Sequence, residues 1–107
     1  MSNNIMSTAR TLGIQMAQTP AAALYVASRQ SLTSKDIELI KDFKRLENEH
    51  RGNVFDYNTE KMISNRYTKL MLNPDIRDFL ESEREVCHML VEVAEAIGQE
   101  VNITIFS

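Results

Sequence analysis

One stretch of this chain constrains its fold more than any other. Ile76, Phe79, Glu83, Val86, Leu90, Val93 and Ile97 follow one another at spacings of three and four residues without a slip. A helix of 3.6 residues per turn brings such positions onto one side, and a seam of this kind is the pattern of helices that pack along their length. The sequence therefore predicts a long helix, opened by Asn73-Pro74 and closed near Gly98.

The seam has one discordant member. Glu83 is its only charged residue, and an ionised carboxylate on a packed face needs a partner or costs several kcal/mol. The tight Asn73-Pro74 connection implies that the fourth and fifth helices run antiparallel. Counting back from the turn sets Leu70 near Phe79, Ile63 near Val86 and Arg66 near Glu83. Arg66 is the expected partner, with Arg29 or Lys69 as substitutes. The fourth helix reaches only about 21 Å against about 36 Å for the fifth. The surplus of the seam is therefore expected to be covered by a second subunit.

Punctuation elsewhere is equally regular. Ile5, Ala9, Leu12 and Met16 have helical spacing, and Thr19-Pro20 then reads as a cap followed by a first-turn proline. A second helix is expected from Pro20 to about Leu32. Thr33, with Asp36 three residues on, has the form of a capping box and opens a third helix carrying Ile37, Ile40, Phe43 and Leu46. The stretch 51–58 reads as a loop. Asn58 is expected to cap the fourth helix, with Tyr57 and Met62 as a hydrophobic staple. The tail from Val101 to Phe106 is apolar and is expected to pack as an extended segment or extra turn. The fold class expected is all-α: about five helices in one bundle-like domain over 1–107, with a long C-terminal helix and dimeric pairing.

Composition narrows the function. With 12 Lys and Arg against 15 Asp and Glu, the formal charge is −3, which argues against a nucleic-acid footprint built on clustered cations. The single cysteine, Cys87, excludes an internal disulfide or a CxxC knuckle and is expected to be a buried structural thiol. The first residues lack a basic flank and an apolar core, and the longest apolar run, Ala21 to Ala27, is far short of a bilayer span, so a soluble cytoplasmic chain is expected. Three glycines cannot build a phosphate cradle, and no nucleophile elbow is present.

The sharpest catalytic alternative is a metal. Glu47 with His50, and Glu85 with His88, are both Glu-x-x-His pairs, and carboxylate-bridged di-metal sites in helical bundles use two such pairs. The first pair continues the Phe43 stripe and is able to face inward. The second falls on the polar face formed by Glu85, His88, Glu92 and Glu95. That placement favours solvent over a metal centre, so no cofactor is expected.

The order of these features resembles the YlbF/YmcA family, small helical proteins found mostly in Gram-positive bacteria. The resembling segments are Ala9-Arg10-Thr11-Leu12, Thr19-Pro20 with Tyr25 five residues on, Ile37 through Leu46, and Leu72 through Glu83, whose Asn-Pro turn followed by Phe-Leu-x-x-Glu is the most diagnostic. The resemblance implies helical bundles that pair through long helices, and regulation without catalysis. Characterised relatives form a complex that associates with the membrane-anchored endoribonuclease of messenger-RNA turnover, and so affect competence, biofilm formation and sporulation. Some relatives contribute cysteines to iron–sulfur clusters. This sequence departs there: Cys87 is its sole cysteine, and the tail has none. It departs also at Ala22, where many members carry a large residue after Thr-Pro.

The functional expectation is a non-enzymatic adaptor that pairs with itself and docks an unidentified protein partner, without direct nucleic-acid binding or a membrane span. The alternative is a metal-binding bundle enzyme using Glu47, His50, Glu85 and His88. RNA binding would require positive charge to gather on one face of the assembled oligomer.

Overall fold

The computed structural model describes residues 3–51 and 56–102, and these form five α-helices. In chain order they are α1 (Asn3–Ala17), α2 (Pro20–Gln30), α3 (Ser34–Arg51), α4 (Tyr57–Met71) and α5 (Pro74–Glu100). The chain divides into two compact units, one drawn from Met1–Ala27 and Glu81–Ser107 and the other from Ser28–Leu80. The α5 helix begins in the second unit and continues into the first.

Side-chain caps set the starts of the helices. Thr19 Oγ1 accepts a hydrogen bond from the Ala22 N–H at 3.3 Å and donates one to the Met16 carbonyl at 2.7 Å, closing α1 while opening α2. Pro20 sits in the first turn of α2, where its missing N–H leaves no bond unmade. The expected capping box at α3 forms with both bonds at 3.1 Å: Thr33 N–H donates to Asp36 Oδ2, and Asp36 N–H donates to Thr33 Oγ1. Asn73 Oδ1 accepts from the N–H groups of Asp75 and Ile76 and so opens α5.

The second unit holds the buried apolar core of the described residues. Ile40 and Phe43 come from α3, Leu70 from α4, and Ile76 and Phe79 from the first turns of α5. The principal helix contact is α3 with α4, where the Phe43 and Tyr67 rings lie 5.8 Å apart at 40°. A polar bond ties this core to the turn beneath α5. Asn73 Nδ2 donates to Asp36 Oδ1 at 3.2 Å, across 37 residues of chain. Buried Asp36 thus serves its own helix start and holds the cap of another. Replacing it with alanine leaves the Asn73 amide and the Thr33 N–H without their acceptor, an expected loss of about 1–3 kcal/mol. A lower urea midpoint at unchanged slope is the expected readout.

Two helix ends differ from the sequence expectation. The cap of α4 is Asp56, whose carboxylate accepts from Asn58 N–H at 3.0 Å and Thr59 Oγ1 at 2.9 Å, so the helix begins before Asn58. An acceptor-only carboxylate two residues upstream outcompetes the amide. The Tyr57–Met62 staple consequently has the wrong register, and both side chains are exposed. The α5 helix passes through Gly98 to Glu100, and the left-handed residue after it is Asn102, at φ 62°. Asparagine adopts that conformation more readily than most residues with a side chain. The tail beyond Asn102 lies outside the described residues.

Hydrogen bonds from Thr59 and then Asn58 hold the Asp56 carboxyl below its ordinary value of 3.8, with the charge of His50 a smaller contribution. A depressed carboxyl stabilises the fold above the unfolded value and loses that contribution as pH falls through the folded one. Helicity and melting temperature are therefore expected to drop on acidification from about pH 5 to about pH 3, partly through this cap. Asp56→Asn, which caps without titrating, is expected to show a shallower drop.

Candidate protein-interaction surface

In the first unit the apolar side chains are only partly covered. Among its described residues no large hydrophobic side chain is buried. Ile5, Ile14, Leu90 and Ile97 are all more than half exposed. The exposure follows a pattern. Ile5, Leu12 and Met16 of α1 face Leu90, Val93 and Ile97 of α5 across an open groove of 730 Å³. Thr8, Ala9, Gly13 and Ala94 line it too, so small residues alternate with large ones along the groove. Gly13 has open space where a Cβ would stand.

The α5 seam divides along its length. Its first two members, Ile76 and Phe79, are consumed by the core of the second unit. Glu83, Val86 and Val93 are half-buried, while Leu90 and Ile97 are 52% and 53% exposed. The apolar stripe that the sequence displays is thus unfilled toward the C-terminal end of α5. Contiguous exposed apolar surface of this kind makes the stripe a candidate interaction site.

Other expected positions resolve differently. Arg66 is exposed on α4 in the second unit, Glu83 belongs to the first, and Arg66 makes no ion pair among the described residues. Cys87 is exposed rather than buried, because the seam stripe turns past it by one residue and leaves it on the flank. The Glu-x-x-His pairs do not act as pairs. His50 Nε2 lies 2.8 Å from Glu60 Oε1, reaching across to the first turn of α4, while Glu47 is exposed. His88 Nε2 meets Glu92 Oε1 at 2.6 Å, one turn along the same exposed face, and Glu85 is exposed beside them. Each histidine selects a carboxylate other than the one three residues before it. No three His, Cys, Asp or Glu side chains among the described residues are grouped to hold a metal ion. Among those residues, too, no helix is long and apolar enough to cross a membrane.

Comparison with known proteins agrees with this all-helical architecture. In fold the chain is similar to Bacillus subtilis RicA, solved by crystallography in complex with RicF, at a TM-score of 0.63 and 22% identity over 95% of this chain and 96% of that one. No curated protein matches by sequence. The family described as control of competence regulator ComK, YlbF/YmcA, matches residues 5–102, which includes all the residues of the groove except Asn4. The chain belongs to the YlbF/YmcA family.

Proposed function

We propose that this chain is a non-enzymatic regulatory adaptor, acting as one domain in the cytoplasm by binding other proteins and, first, a second copy of itself. The observation that carries this reading is the open α1–α5 groove, whose unit buries no large apolar side chain of its own among the described residues. A helical unit with no such core gains most of its stabilisation by laying that stripe against another helix. Leu90 and Ile97 are already about half covered, so burying what remains of each contributes roughly 1 kcal/mol.

The pairing of the structural neighbour with a second protein supports an adaptor role, and the family's regulatory description accords with it. In this reading the paired chains form part of a complex that docks on an mRNA-decay endoribonuclease. Titration of the purified chain with the soluble part of that endoribonuclease tests the link. Saturable binding supports it, and no binding at high concentration removes the ribonuclease connection while leaving self-pairing to be judged by solution mass.

A further inference from the structure

We propose that the hollow between α3 and α4 docks an acidic amphipathic helix of a protein partner, which lays apolar side chains on its floor and carboxylates on its cationic rim. The inference rests on the adaptor reading above and deepens it. The α1–α5 groove serves self-pairing, and this second surface takes a different protein. Every residue that lines it belongs to the second unit.

The hollow measures 620 Å³ and is floored by Leu39 and Phe43 of α3, Leu70 of α4 and Ile76 of α5. Leu39 is 42% exposed, so part of the floor meets water. Arg66 and Lys69 rim it from α4, both exposed and neither ion-paired among the described residues. Asp42, the one carboxylate in the lining, is already taken by Arg45 at 2.8 Å. The two cations therefore have no answering charge within the lining, and a bound partner has to supply it.

The cationic strip continues along α4. Lys61, Met62 and Asn65 line an adjoining hollow of 340 Å³ with Arg66 and Lys69, and the helix carries no carboxylate from Lys61 to Met71. Lys61 to Lys69 spans about 12 Å, a little over two turns of a docked helix. Leu39 and Phe43 stand one turn apart on α3, as Arg66 and Leu70 do on α4. A trough lined in this way by two helices suits a third that enters by its apolar stripe.

Other occupants fit less well. Residues 28–80 hold ten of the 12 Lys and Arg but also nine of the 15 Asp and Glu, so that unit is nearly neutral. Three cations over an apolar floor release few counterions, which leaves RNA little to gain. An uncharged apolar segment would desolvate Arg66 and Lys69 without pairing them, and a basic one would meet like charge.

The probe is a synthetic peptide of about 15 residues, with two leucines four positions apart and glutamates on the flanking turns. One twin carries lysine for each glutamate, and another carries alanine for both leucines. Fluorescence anisotropy against the full chain at low salt is expected to show the acidic peptide binding at least about tenfold more tightly than either twin. Amide NMR shifts are expected to centre on Leu39, Phe43 and Leu70. The double variant Arg66→Glu, Lys69→Glu is expected to reverse the preference between acidic and basic peptides, with helicity and solution mass unchanged. Equal binding of the three peptides, a preference unaltered in the variant, or shifts centred on the α1–α5 groove overturn the docking surface and leave the adaptor reading standing. A variant that loses self-association gives this surface to a second copy and overturns the proposal as well. The adaptor reading is judged apart from all of these, by the solution mass of the wild type and the endoribonuclease titration.

Discussion

Truncation of Phe43 to alanine is expected to cost about 3–5 kcal/mol. The ring is 6% exposed and lies against Tyr67, so it joins α3 to α4 at their principal contact. Its removal forfeits both the transfer free energy of the ring and the packing around the hole left behind. Small domains carry about 5–15 kcal/mol in total, so a loss of this size consumes much of the margin. Urea denaturation followed by circular dichroism reads it directly. Leu72→Ala is the matched control, since Leu72 is 76% exposed and its truncation is expected to stay within about 0.5 kcal/mol. Equal midpoints for the two variants would mean that the Phe43 cluster is not the core.

Replacing Leu90 and Ile97 together by glutamate is expected to weaken self-association by at least about a hundredfold while leaving the chain helical. Both side chains are about half exposed in the single chain, so the substitutions bury no charge within it. Glutamate is also a good helix former. In a pair closed over the α1–α5 groove, the same two residues place carboxylates in an apolar, desolvated centre, where an unpaired charge is most costly. The two situations give opposite results. A solvated stripe tolerates the change silently, whereas an interface dissociates. Light scattering on the variant across concentration, with helicity as the folding control, separates them.

Much of this architecture is legible in local sequence. Thr19-Pro20, the Thr33–Asp36 box and Asn73-Pro74 each announce a helix start through residue types whose side chains satisfy orphan N–H groups, and all three form as expected. The seven-residue periodicity of α5 announces a long helix, and the family resemblance carried by the Leu72–Glu83 segment is borne out by the family match. The misreadings came from competition between neighbouring candidates. Asp56 displaced Asn58 as a cap, and the helix end expected near Gly98 falls after Glu100, with Asn102 in the left-handed conformation.

The candidate site was half visible. The α1 positions Ile5, Leu12 and Met16 and the α5 positions Leu90, Val93 and Ile97 are each periodic, but periodicity says only that a face is apolar, not which other face it meets. Their meeting joins residues some eighty positions apart, and no local signal encodes it. The same holds for the Asp36–Asn73 bond, whose two ends each had a complete local explanation as a cap. Cys87 shows the converse: adjacency in sequence to a seam residue suggested burial, while a turn of about 100° per residue carries it out to the flank.

In the proposed reading the open apolar stripe of α1 and α5 is filled by another copy of the chain. The molar mass in solution, measured by light scattering from micromolar to millimolar concentration, tests it most directly. The expected result is at least twice the chain mass over most of that range, falling toward the monomer only on dilution. A mass that stays at one chain throughout would contradict the account.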